Sequence, residues 1–279
     1  MKNRSDVQTT YACFGHLSLI LGGLFLLVCY GIAPNQKRDV SAFRGKKYAH
    51  RGLHNSEVPE NSLWAFRRAV EKHFGVELDV QMTKDGLPVV FHDGTLKRMC
   101  GVEGSVKDYT YDELCKLNLK ETNETIPLLR DVLEVLGDTD LICEIKSDNG
   151  VKNYELCEKA YELLKAYKGN YCIESFSPYL VEWFKKNHPG IIRGQLSCHV
   201  QGTGHGKVSD WMLTNLLVHY LSRPDFIAYE FRDAKKSFGL RLVRKLFNPF
   251  CICWTPKGEE EIAQALKEFD TIIFEDDSL

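Results

Sequence analysis

Apolar strand-like runs alternate with helical patterns along most of this 279-residue chain, and that alternation limits its fold more than any other feature. The runs fall at 47–51, 75–81, 87–92, 140–146, 170–175, 191–197, 226–231, 250–255 and 270–275. Helical patterns at 62–74, 152–168, 178–187, 235–247 and 259–269 lie between them. Strands separated by helices pair in parallel, with both faces of the sheet covered. One connection breaks the rule. Met82-Thr83-Lys84-Asp85-Gly86 is too short for a parallel crossover, which needs about a dozen residues. The runs on either side of it should pair as an antiparallel hairpin, returning His92 to the level of Glu77 and Asp79. Eight parallel strands remain, enough to close an irregular TIM (β/α)8 barrel over 47–279. Two insertions interrupt the alternation. Residues 94–139 carry helical patterns at Tyr111–Leu117 and Leu128–Leu136. Residues 198–225 start with Gly202-Thr203-Gly204-His205-Gly206 and continue into a stretch, 211–221, that is apolar nearly all round. The second insertion leaves the C-terminal end of a strand, the end at which barrel active sites lie.

Charged residues recur where these runs end. Tyr48-Ala49-His50-Arg51-Gly52 is followed by Pro59-Glu60-Asn61-Ser62. Val76-Glu77-Leu78-Asp79-Val80, Val89-Val90-Phe91-His92-Asp93 and Leu141-Ile142-Cys143-Glu144-Ile145-Lys146 complete the set. Glu77 and Asp79 are two apart, so both point to one face of their strand. Solvated strand ends would also tolerate carboxylates, but the flanking Val76, Leu78, Val80, Cys143 and Ile145 indicate buried strands converging on one polar site. Oxygen ligands from Glu77, Asp79 and Glu144 suit a hard cation, Mg²⁺ or Ca²⁺. His50 and His92, with ordinary pKa values near 6.5, suit acid–base work.

In this order and at these intervals, HRG, PENS, ELDVQMTKDG, VVFHD and EIK resemble the signature of the glycerophosphodiester phosphodiesterases. The resemblance implies an irregular TIM barrel with a small helical insertion, and metal-dependent release of glycerol 3-phosphate and an alcohol. It implies that Glu77, Asp79 and Glu144 hold the metal, that His50 and His92 exchange protons with nucleophile and leaving alcohol, and that Arg51 and Lys146 contact the substrate phosphate. Trp254 matches a family Trp that lines the pocket. Glu60 matches a possible ligand or supporting group, although it also precedes a helix that Asn61 or Ser62 would cap, Asn61 above all. The neighbouring glycerol hydroxyl would attack first and leave a cyclic phosphate for water to open; direct attack by water is the alternative. The last strand departs from the family's small Thr-Asp ending. It reads Ile272-Ile273-Phe274-Glu275-Asp276, which should alter one pocket wall. Of the remaining histidines, His54 and His199 lie nearest the expected mouth. A lysophospholipase D or phospholipase C-like enzyme acting on membrane lipids is the rival reading. A non-enzymatic tethered binder fits less well, because both histidines and all three carboxylates are present.

Residues 11–33 carry no Asp, Glu, Lys or Arg and would span about 35 Å as a helix, enough for a hydrocarbon core. They read as a transmembrane anchor between a tail, 1–10, and a polar linker, 34–46; a cleaved signal peptide would have a shorter core and a small-x-small site. Lys37, Arg38, Arg44, Lys46 and Lys47 outnumber Lys2 and Arg4, which places the barrel in the cytoplasm at the cell membrane. A net charge of −2 excludes a general basic field, so nucleic acid is not an expected partner. The ten cysteines contain no CxxC and read as reduced, mostly buried residues, which argues against zinc. The basic, amphipathic 235–247 reads as an outer barrel helix, with a membrane-surface helix as the alternative.

Overall fold

The computed structural model of the protein describes residues 4–147, 152–200 and 206–279, with side chains from His16 onward, Leu17 excepted. Its strands are β1 (Lys47–His50), β2 (Gly75–Met82), β3 (Pro88–Val90), β4 (Leu141–Ile145), β5 (Tyr171–Ser175), β6 (Arg193–Ser197), β7 (Phe226–Glu230), β8 (Phe250–Lys257) and β9 (Thr271–Glu275). All except β3 pair in parallel in the order β1-β2-β4-β5-β6-β7-β8-β9, and β9 returns to β1, closing an eight-stranded barrel. β3 pairs antiparallel with the far end of β2, Val80 opposite Val90, as the short turn requires. The expected 87–92 strand stops at Val90. Phe91 N–H still reaches Asp79 O at 2.9 Å, so His92 starts a loop at the level of Asp79.

Aromatic and aliphatic side chains fill the lower interior: Phe43, Tyr48, Ile142, Cys172, Phe226 and Phe250 form one cluster with Leu196, Ala228, Ile252 and Ile273. The supposed linker therefore contributes to the core, because Phe43 caps the barrel floor at 2% exposure. Between sheet and helices lies a second, larger apolar layer that includes Phe66, Leu78, Leu129, Phe184, Leu240 and Phe269. Cys251 and Cys253 share that outer face, as their spacing predicts, and no described cysteine is in a disulfide. Residues 94–139 pack their own small core, Leu96, Met99, Val106, Leu114 and Ile126, against Val89 and Phe91. The helical pattern at 235–247 is an outer helix, Phe238–Phe247, preceded by a separate turn, Phe231–Ala234.

The apolar stretch 211–221 is not one helix. It divides into Lys207–Thr214 and His219–Ser222, with Leu216 at φ +64° between them. Tertiary donors account for the break. Thr214 O accepts from Tyr229 Oη at 2.9 Å and from Ser237 Oγ at 3.1 Å, and Asn215 Oδ1 accepts from Gly239 N at 3.0 Å. Gly239 is needed there, since a Cβ would lie 2.2 Å from Asn215 O. The segment thus returns along the outside of the barrel. Its opening, 201–205 with His205, lies outside the described residues.

The same segment receives the N-terminal helix, Arg4–Ile32. Ile32 is buried and its carbonyl accepts from His219 Nδ1 at 2.9 Å. Arg223 donates to Tyr30 O and Ala33 O, both at 2.8 Å, and its guanidinium lies 4.2 Å from the centre of the Tyr30 ring. Leu19, Ile20, Leu24, Leu26 and Leu27 are exposed. Among the described residues no helix is long and apolar enough to cross a membrane, and within the expected span over 11–33 the side chains of 11–15 and 17 are not described.

Candidate active site

The strands end in a small cleft at the C-terminal mouth of the barrel, lined by His50, Arg51, Glu77, His92, Glu144 and Trp254 among others. Glu77 and Asp79 of β2 point inward together, and the register sets Asp79 beside Glu144 of β4. All three carboxylates are buried, with one oxygen of each within 4.8 Å of the others. Lys146 bridges two of them, its Nζ 3.1 Å from both Asp79 Oδ1 and Glu144 Oε1. Arg51 approaches Asp79 Oδ2 at 3.4 Å and donates its backbone N–H to Glu77 Oε2 at 3.1 Å. That backbone contact needs Arg51 at φ +55° and then Gly52 at φ +79°, where a Cβ would lie 2.8 Å from Ala65. A glycine following Arg51 is the residue that this turn admits.

Each imidazole is tied through Nδ1 to a carboxylate. His50 Nδ1 is 2.6 Å from Glu275 Oε1, and His92 Nδ1 is 2.8 Å from Asp93 Oδ1. In the neutral ring such a partner fixes the proton on Nδ1 and leaves Nε2 as the free acceptor. The Nε2 of His50 lies 3.9 Å from Glu77 Oε2. Glu60 stands behind the cleft, paired with Arg51 at 2.7 Å and with Arg98 at 2.7 Å, and Arg98 also holds Asp93 at 2.6 Å. Gln81 Nε2 braces the His92 loop through Phe91 O and Asp93 O.

Electrostatics separate the carboxylates. Burial raises Glu77, and the charges of Asp79, Glu144 and Glu174 raise it further. Burial also lifts Glu144 to about 7, against the pull of Lys146. For Asp79 burial is outweighed by Lys146 and Arg51, which hold it well below the usual carboxylate range. Glu60 falls to about 2 because Arg98 and Arg51 overcome its burial. Burial lowers both His50 and His92, while the carboxylate on each Nδ1 works the other way. Three buried carboxylates with no thiol or imidazole in their group fit a hard divalent cation, whose charge would offset the burial that raises Glu77 and Glu144.

All nine side chains singled out in the sequence meet at or just behind this cleft, Asp79, Lys146 and Glu60 through the ion pairs above. Two assignments change. Asn61 is not the helix cap: Ser62 Oγ accepts from Ala65 N, whereas Asn61 Nδ2 donates to Asp79 Oδ2 at 2.8 Å. Glu275 does more than alter a wall, since it is the partner of His50. The sequence reading passed over Glu174, at the end of β5, and Phe176, whose ring meets Trp254 edge-on at 5.5 Å. A charged residue ending an apolar run was the available signal for Glu174, as it was for Glu144.

The sequence model of the glycerophosphoryl diester phosphodiesterase family matches residues 50–214. The chain belongs to this family. A glycerophosphodiester phosphodiesterase of Caldanaerobacter subterraneus subsp. tengcongensis is 34% identical, over 82% of this chain and 93% of its own. A lysophospholipase D of Rattus norvegicus is 36% identical over 58% of this chain and 54% of its own. Among solved structures, a glycerophosphodiester phosphodiesterase from Thermotoga maritima superposes with a TM-score of 0.63 at 27% identity, covering 82% and 93% of the two chains. The chain is therefore a phosphoric diester hydrolase of a divalent-metal-dependent family, and its substrates are glycerophosphodiesters.

Proposed function

We propose that His50 and His92 are the proton-transfer pair, one accepting the nucleophile's proton while the other protonates the departing alcohol. The observation that carries this reading is the pair of Nδ1–carboxylate contacts, His50–Glu275 and His92–Asp93, at one cleft. Each carboxylate stabilises an imidazolium and keeps the opposite nitrogen for the substrate. Arg51 and Lys146 offer N–H donors to the non-bridging phosphate oxygens. Glu77, Asp79 and Glu144 would hold Mg²⁺ or Ca²⁺, which when bound neutralises the diester's charge and polarises its phosphorus–oxygen bonds. Trp254 and Phe176 form an aromatic wall for the alcohol moiety. The test is release of glycerol 3-phosphate from glycerophosphocholine and glycerophosphoethanolamine, with EDTA, Mg²⁺ or Ca²⁺. Metal-dependent release that His50→Ala and His92→Ala both abolish supports the assignment. Turnover surviving either substitution removes that histidine from the pair.

The exposed leucines of the N-terminal helix support a single-pass membrane anchor. Its root packs beside Pro224 and Asp225, which precede β7, at the end of the barrel away from the cleft. That placement favours a water-soluble diester over a lipid, and the lysophospholipase D reading predicts the opposite preference in a substrate panel. Five basic residues after the helix, Lys37, Arg38, Arg44, Lys46 and Lys47, against Lys2 and Arg4 before it support a cytoplasmic barrel, and Arg38, Arg44 and Lys46 also pair with Asp225, Asp270 and Asp140. Protease protection of the barrel in sealed vesicles of known sidedness tests it.

A further inference from the structure

One buried acid in the cleft has no role in the reading above. Glu174 of β5 is 1% exposed and lines the cleft beside Glu77 and Glu144. The strand register places Asp79, Glu144 and Glu174 side by side on β2, β4 and β5. Glu174 Oε2 is buried and hydrogen-bonds to nothing. Buried polar atoms nearly always have partners, so a carboxylate oxygen left bare in the polar end of a barrel needs a reason. Charge points the same way. Glu77, Asp79, Glu144 and Glu174 face Lys146 and an Arg51 that Glu60 also shares, so carboxylates outnumber cations there, as a bound cation requires.

We propose that Glu174 is a fourth carboxylate of the cation site and fits that site to Ca²⁺. The inference rests on the metal reading of Glu77, Asp79 and Glu144. Those three make the compact group, and Glu174 adjoins it as the register partner of Glu144. Mg²⁺ demands a tight octahedral shell and keeps much of its water, so three carboxylates satisfy it. Ca²⁺ takes about six to eight oxygens at longer, more variable distances and gains from a further anionic ligand. Glu174 therefore decides between the two ions more than it decides whether a cation binds.

The experiment is direct titration of the full-length protein with Ca²⁺ and Mg²⁺ by calorimetry. Displacement of Tb³⁺, with luminescence excited through Trp254 in the same cleft, gives a second readout; neither depends on turnover. Glu174→Gln, checked for folding by circular dichroism, should weaken Ca²⁺ binding by about tenfold or more while changing Mg²⁺ by no more than about threefold. Unchanged Ca²⁺ affinity, or an equal loss for both ions, overturns the assignment. Should Glu174→Gln not fold, Glu174→Asp keeps the charge and shortens the reach. It should also lose Ca²⁺ preferentially, and an unaltered ratio of the two affinities overturns the assignment equally. Glu144→Gln should lose both ions. A wild-type protein that binds neither ion would instead refute the metal site itself.

Discussion

The interior of this barrel has two unlike halves. β1, β2, β4 and β5 contribute His50, Glu77, Asp79, Glu144 and Glu174, whereas β6 to β9 contribute Leu196, Ala228, Ile252 and Ile273. Charge on the second side lies at strand ends, where Lys257 and Glu275 form an ion pair and Glu230 accepts from the backbone of Asp233. The cleft runs along the seam between the halves. Such a seam orients a molecule that is anionic at one end and organic at the other: the charged half suits a phosphate, and Trp254, Phe176 and Leu196 suit an alcohol. The halves should therefore fail differently when altered.

The charged half should fail in kcat. His50→Ala and His92→Ala are each expected to lower kcat by about 10²–10⁴-fold in a folded protein, and steady-state kinetics would show it. A variant within about tenfold of wild type would take that imidazole out of proton transfer.

The apolar half carries structure on its outer side, and its weak point is His219. Burial lowers this imidazole to about 4, and its Nδ1–H is spent on Ile32 O. The unfolded chain, with a value near 6.5, takes up the proton more readily. Stability from the neutral ring is thus full above pH 6.5 and falls as pH drops towards 4, by up to about 3 kcal/mol. Urea unfolding at pH 7.5 and 4.5 measures it. His219→Gln should flatten the difference, and an equal slope in the variant would assign the loss to other groups.

Glu275 belongs to the apolar half by strand and to the charged half by contact. Glu275→Gln should reduce kcat by about tenfold. The limb of the pH profile that reports His50 should move to lower pH, because the carboxylate that favours the imidazolium is gone. Glu275→Asp should restore part of both. A lower kcat with an unmoved profile would mean that Glu275 only packs. The smallest effect is expected at Trp254. Trp254→Ala should raise KM several-fold, roughly 1 kcal/mol, more for choline diesters than for ethanolamine diesters, and leave kcat nearly unchanged. Equal effects on both alcohols would move alcohol recognition away from this ring.

The charged half was the legible one. Its residues sit in short motifs, and the two-residue spacing of Glu77 and Asp79 dictates a shared strand face wherever that strand packs. The five-residue connection after Gln81 likewise forces the hairpin, because no parallel crossover is that short. Pattern failed where partners are distant. The run 211–221 has helical composition, yet Tyr229 and Ser237 claim the Thr214 carbonyl that a continuous helix would use, and Gly239 N holds the Asn215 side chain. Asn61 looked like a cap beside Ser62, and only its approach to Asp79 separates their roles.

Local periodicity, connection length and strand-face alternation act within a few residues, so eight parallel strands, the hairpin and the cluster of acids and histidines were present in the chain before it folded. The coupling of His50 to Glu275, 225 residues apart, and of His219 to Ile32, 187 residues apart, exists only because the last strand closes on the first and the insertion turns back along the wall. No neighbouring residue encodes either contact; barrel closure and side-chain packing create both.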